Sequence, residues 1–103
     1  MLLEANADPN KAGPQDSTAL MVACQNGHNL CTRIMIEANA NVNHENAKHV
    51  TALNMACENE HDECALLLLH AGARADVKDD WGDTPLSIAQ RKGMSNVLTL
   101  MPS

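Results

Sequence analysis

Phenylalanine and tyrosine are absent from the 103 residues, and Trp81 is the only aromatic ring. A core without large rings has to be built from Ala, Leu, Ile, Met and Cys. Thin layers of such residues suit stacked helices better than a sandwich. Positive charge is also scarce: Lys and Arg total 7 against 13 Asp and Glu, a formal net charge of −6. Nothing forms the basic stripe that phosphate contacts require, which argues against a nucleic-acid partner. The same sign disfavours an anionic membrane surface. No apolar run approaches membrane-spanning length, Ala65 to Leu69 being among the longest. The opening Met1-Leu2-Leu3-Glu4-Ala5-Asn6 lacks the basic start and long apolar stretch of a signal peptide. The four cysteines are therefore expected as reduced thiols inside a cell, in the cytoplasm first, with the nucleus also open.

What the chain does have is a repeat. Thr18-Ala19-Leu20, Thr51-Ala52-Leu53 and Thr84-Pro85-Leu86 stand 33 residues apart. Small residues echo the same spacing at Ala23, Ala56 and Ala89, and again at Ala7, Ala40 and Ala73. Several positions recurring at one period mean that a single structural unit is stacked on itself.

The middle unit shows what that unit is. His44 to Val50 is polar and irregular, with turn residues such as Asn46. Thr51 has the chemistry of a helix start, its hydroxyl able to accept a backbone N–H of the first turn. Leu53, Ala56 and Cys57 then fall at helical spacing, predicting an inner helix from about Thr51 to Glu58. After a polar break at Asn59-Glu60, a second helix is expected from about His61 to His70, with Cys64, Leu67 and Leu68 on one face. Gly72 supplies a left-handed stop. Each helix–turn–helix–hairpin unit exposes an apolar face that only a neighbour can cover.

These residues resemble the ankyrin repeat, whose signature is a 33-residue period with a Thr-Pro-Leu-His-x-Ala core. Thr84-Pro85-Leu86-Ser87-Ile88-Ala89, followed by Gly93, matches best. His70-Ala71-Gly72-Ala73 and Leu2-Leu3 through Ala7-Asp8-Pro9-Asn10 are similar to the family's helix end and descent into a hairpin, and Asn26-Gly27-His28 to its interhelical link. The resemblance implies an all-α solenoid of helix-turn-helix units joined by β-hairpin-like loops. As one domain over 1–103 it would comprise a remnant at 1–10, repeats at 13–45 and 46–78, and a shortened repeat at 79–103. Two departures stand out. The residue after the core Leu, usually His, is Met21, Asn54 and Ser87. At the hairpin turn, where the family favours Gly, only Gly82 complies, against Asp16 and His49. Positive φ is costly for non-Gly residues, so those two hairpins are expected to be looser.

Two sharper chemistries compete with this reading. Cys24, His28 and Cys31 recur as Cys57, His61 and Cys64, and zinc binds such donors tetrahedrally. Each set straddles the turn between helices, however, and buried free Cys behaves as a small hydrophobe in repeated core slots, one of which Val97 fills in the last unit. No metal or other cofactor is therefore expected. Disulfides between equivalent cysteines are opposed by the helix spacing of about 8–10 Å. Catalysis would need a nucleophile, base and orienter converging on a pocket. Cys57, His49 and Asp83 offer each type without a recognisable context, and carboxylates such as Glu58-Glu60 or Asp62-Glu63 read as a solvated face. No Gly-rich phosphate loop occurs.

Residues that vary while the frame stays constant point instead to binding. They are Pro14, Gln15 and Ser17 in the first hairpin, Ala47, Lys48 and Val50 in the second, and Asp80, Trp81 and Asp83 in the third. On the inner helices the equivalents are Gln25 and Asn26, Glu58 and Asn59, and Arg91 and Lys92. The resemblance places these on one concave surface that grips another protein, without intrinsic catalysis, as a scaffold, adaptor or inhibitor. Trp81, among Asp79, Asp80 and Asp83, fits a hot spot for a partner with an apolar residue beside Lys or Arg. Local packing of its ring over Lys78 or the neighbouring hairpin is the competing role. An alternative function is that of a fragment or short isoform of a longer array. Such a chain would stack on another or on itself through Leu2, Leu3, Cys31 and Ile34 at one end and Leu98, Leu100 and Met101 at the other.

Overall fold

Residues 12–101 are described by a computed structural model, so expectations for 1–11 and 102–103 lie outside the described residues. Six α-helices follow one another in three pairs: α1 (Ala19–Gln25) and α2 (Asn29–Glu37), α3 (Ala52–Glu58) and α4 (Asp62–His70), α5 (Pro85–Lys92) and α6 (Ser95–Leu100). The inner helices stack α1 on α3 on α5, and the outer helices α2 on α4 on α6.

Each inner helix starts for the reason the sequence suggests. Thr18, Thr51 and Thr84 sit in extended backbone and their hydroxyls accept from the amides of Met21, Asn54 and Ser87 at 3.3, 3.2 and 3.1 Å. At α5 the bond is reciprocated, the Thr84 amide donating to Ser87 Oγ at 2.9 Å. Two orphan donors are thereby satisfied at once. The turn into each outer helix is equally regular. The amides of His28, His61 and Met94 donate to the carbonyls of Ala23, Ala56 and Ala89 at 2.9, 2.8 and 3.0 Å. The residue before each is left-handed: Gly27, Glu60 and Gly93, with φ of 71°, 56° and 68°. Gly72, at φ 93°, ends α4 as expected. Asn39, at φ 68°, takes the same position after α2.

The core forms where the periodic residues meet. Leu20, Leu53, Ala23, Ala56 and Ala89 are all buried, as are Cys24, Cys57, Cys64 and Val97. Small side chains at the three alanines let the inner helices approach closely, and burial of the larger ones drives the stacking. Met21 joins this core as an apolar residue, whereas Asn54 is buried with its Oδ1 accepting from Thr51 Oγ1 at 3.1 Å. Met101, expected as outward apolar surface, is turned inward and only 6% exposed, its amide donating to Leu98 O at 3.1 Å. Leu98 is half-buried and Leu100 exposed.

The three hairpins close with the same backbone bond. The amides of Gly13, Asn46 and Asp79 donate to the carbonyls of Ser17, Val50 and Asp83 at 2.8, 3.0 and 2.9 Å. Asp16, His49 and Gly82 return the chain at φ 61°, 60° and 83°. The first two accordingly adopt the left-handed conformation their position demands. Their closing bonds fall in the same range as that of the Gly82 hairpin, so the looseness expected of them does not show there.

Candidate functional site

The hairpin tips are joined to one another. Ala47 N donates to Gln15 O at 2.9 Å, and one repeat later Asp80 N donates to Lys48 O at 3.0 Å. This fixes the tips as one continuous edge, with Gln15, Ala47, Lys48, Asp80 and Trp81 exposed along it. His44 Nε2 adds a further link, 2.8 Å from Asp16 O. Ser17 and Val50 are half-buried at the hairpin bases; Pro14 opens a short 3-10 turn, Pro14–Asp16.

Between the second and third hairpins and the inner helices lies a groove of ≈ 410 Å³. Its apolar lining is Val50, Met55, Ile88 and Trp81; its polar lining is Gln25, Asn54, Glu58, Asn59, Asp79 and Asp83. Six residues expected at a binding surface therefore meet here: Gln25, Val50, Glu58, Asn59, Trp81 and Asp83. Met55 and Ile88 were not among the expected contact residues. They belong to one periodic row with Val22, which faces outward at 44% exposure, and that row lines the inner-helix face.

Trp81 is 66% exposed, so most of its ring is not used by the fold. Lys48 Nζ lies 5.4 Å from the ring centroid. The ring thus contacts the neighbouring hairpin, through Lys48 and not Lys78, by a cation–π interaction. Asp79 positions it. One carboxylate oxygen of Asp79 accepts from the amides of Trp81 and Asp83 at 3.0 and 2.9 Å, and the other lies 3.5 Å from Asn54 Nδ2. Asn46 does the same one repeat earlier, its Oδ1 accepting from the amides of Lys48 and Val50 at 2.9 and 3.0 Å.

Two sets of expected contact residues are already engaged. Asn26 and Asn59 donate their side-chain amides to Val22 O and Met55 O at 3.0 and 2.9 Å, closing the ends of α1 and α3. They hold the frame as well as facing the surface. Arg91 reaches Glu58 Oε2 at 3.0 Å and Asp83 Oδ1 at 3.4 Å, whereas Lys92 beside it is half-buried.

The cysteine–histidine sets have local partners of their own. Thr32 Oγ1 lies 3.7 Å from Cys24 Sγ and 3.5 Å from Cys64 Sγ, and donates to His28 O at 2.9 Å. Cys64 Sγ donates to Asn29 Oδ1 at 3.0 Å. His61 Nε2 is 3.2 Å from Gln25 O, on the preceding repeat. Among the described residues no three His, Cys, Asp or Glu side chains gather as metal ligands would. No disulfide joins the cysteines among the described residues. Burial pushes Cys24 and Cys57 up to about 12, which makes them poor nucleophiles.

The helix pairs, hairpins and 33-residue register define a repeat solenoid. A family model described as ankyrin repeats (3 copies) matches residues 1–79, and the chain belongs to the ankyrin-repeat family. The match ends at Asp79, yet α5 and α6 continue the same geometry beyond it. No curated protein matches the chain. Ankyrin repeats are in general protein–protein interaction modules, typically without catalysis. No helix among the described residues is long and apolar enough to cross a membrane.

Proposed function

We propose that this chain is a non-catalytic module that binds another protein along its hairpin tips and inner helices, with the groove beside Trp81 as the central contact. Units 13–45, 46–78 and 79–103 act together as one rigid display, so little ordering entropy is lost on binding. The observation that supports this most is Trp81 itself. Its amide is held by Asp79 and its ring contacts Lys48, yet it is 66% exposed at the mouth of a groove. Trp is among the residues most enriched at interface hot spots. The surrounding Glu58, Asp79, Asp80 and Asp83 favour a partner that sets Lys or Arg beside an apolar residue. Scaffold, adaptor and inhibitor are the roles consistent with such a module, and buried cysteines such as Cys24 and Cys57, outside any disulfide, suit the cytoplasm.

The test is selection of phage-displayed random dodecapeptides on the wild-type chain. Selected sequences should be rich in Lys or Arg next to aliphatic residues and lose binding to Trp81→Ala, whose helical circular dichroism stays unchanged. Equal binding to wild type and variant removes Trp81 and the groove from the interface.

A second reading, stacking of exposed apolar surface on another chain or on a second copy, is favoured by Leu100, 41% exposed beside half-buried Leu98. Sedimentation at two widely separated concentrations tests it, and a monomer at both ends it for self-association.

A further inference from the structure

Resting on the groove reading above, we propose that Arg91 is an internal stand-in for a partner's arginine. It holds the seat between Glu58 and Asp83 that an arginine of an extended partner segment takes on binding, with an adjacent aliphatic residue of that segment against Trp81 and Met55. The geometry is that of guanidinium recognition. One terminal nitrogen of Arg91 lies 3.0 Å from Glu58 Oε2 and the other 3.4 Å from Asp83 Oδ1, so a single planar fork spans two carboxylates from adjacent repeats. An ammonium group has no such fork, and the site therefore prefers arginine to lysine.

Charge points to the same occupant. The groove lining holds three carboxylates, Glu58, Asp79 and Asp83, while the two cations beside it, Arg91 and Lys48, rest on Glu58 and Asp83 and on Trp81. An acidic segment would meet more negative than positive charge, whereas a basic one is complementary. Exchange is easy because the internal pairs are exposed: side-chain exposure is 52% for Arg91, 53% for Glu58 and 34% for Asp83. Ion pairs in that setting are weak and screened, and another guanidinium replaces them at little cost. Arg91 thereby sets a threshold. Segments without an arginine displace it less readily, and the acid pair is less open to them.

The experiment measures anisotropy of a fluorescein-labelled heptapeptide, Gly-Leu-Arg-Gly-Leu-Arg-Gly, with the full chain at physiological salt. Its lysine counterpart serves as comparison. Arg91→Met should tighten binding by about fivefold or more, since it removes the competitor and leaves the acid pair open. Arg33→Met removes one positive charge from the outer helix α2 instead, and should change affinity by less than about twofold if only distant, screened charge is lost. Adding Glu58→Gln to Arg91→Met should abolish the gain, and the lysine peptide should bind more weakly throughout. Arg91→Gln provides a second removal of the charge should methionine disturb the fold by circular dichroism. Unchanged or weaker binding to Arg91→Met, with binding still lost in Trp81→Ala, overturns the stand-in and leaves the groove reading in place. Equal binding to Trp81→Ala, or no binding to wild type and Arg91→Met alike, overturns both.

Discussion

Replacing Asp79 with alanine should loosen the third hairpin while leaving the helices folded. One carboxylate oxygen accepts from two backbone amides, those of Trp81 and Asp83, at 3.0 and 2.9 Å. Bonds to a charged acceptor are worth about 1.5–3 kcal/mol each where they are dry. Asp79 is half-buried, so water takes over part of that role once the side chain is gone. The expected loss for both bonds together is about 2 kcal/mol. With a urea m-value of about 1–1.5 kcal/mol/M, the midpoint falls by about 1.5 M. The second hairpin supplies the control. Asn46 Oδ1 makes the same two bonds with a neutral amide, so Asp79→Asn should keep them and lose only about 0.5 kcal/mol, mostly from the Asn54 contact. Urea titration by far-ultraviolet circular dichroism gives the stability, and Trp81 fluorescence reports the hairpin directly. A midpoint for Asp79→Ala within experimental error of wild type would refute the reasoning, as would Asp79→Asn being as damaging as Asp79→Ala.

Left-handed residues give a second prediction. Glu60, at φ 56°, stands where Gly27 and Gly93 stand in the other units, and Glu60→Gly should stabilise by about 0.5–1 kcal/mol in the same titration. Conversely Gly27→Ala should cost more than Gly93→Ala: an added Cβ at Gly27 comes within 2.7 Å of the His61 ring, whereas at Gly93 it meets nothing. The thiols give a third. Burial raises Cys24 and Cys57 from 9.0 to about 12, so below pH 9 neither state ionises and their stabilising contribution is complete. Above pH 9 the unfolded chain releases these protons and the folded chain does not, so stability should fall by about 1.4 kcal/mol per pH unit per thiol as pH rises towards about 12. Urea midpoints at pH 8, 9, 10 and 11 check this, and Cys57→Ala should shallow the slope.

The frame was legible because backbone requirements recur with the period. Thr18, Thr51 and Thr84 announce helix starts by their hydroxyl chemistry, and Asp16 and His49 are found at positive φ because the register places them opposite Gly82. What the period hides is anything diagonal, between non-equivalent positions of neighbouring units. Comparing equivalent cysteines gives no hint that Cys24 of α1 and Cys64 of α4 share one hydroxyl on Thr32 of α2. The Arg91 pairs with Glu58 and Asp83 are legible in part, since Glu58 and Arg91 are equivalent residues, but which acid the second nitrogen takes depends on the hairpin's approach. Asn26 and Asn59 carry a second role that the period does not show. They are candidate contacts, and an Asn at a helix end can also turn back to its own carbonyls, as both do.

The same logic explains why the candidate site lies at the last interface between units rather than the first. The position that closes each hairpin is Gly13, Asn46 and Asp79 in turn, and only the latter two have a side chain to gather the tip amides. Gly13 closes its hairpin through backbone bonds alone, and there the tip residue Gln15 as well as Asp16 is left-handed, at φ 57°. The third hairpin instead has a carboxylate acceptor and a glycine at its turn, which relieves strain and frees position 81 to hold a large ring outward. Lys48, from the hairpin before, then lies over that ring. The geometry of Trp81 therefore depends on two repeats at once. A variant that separates them, such as Lys48→Ala together with Asp79→Ala, is expected to lose more binding than the two single changes add up to.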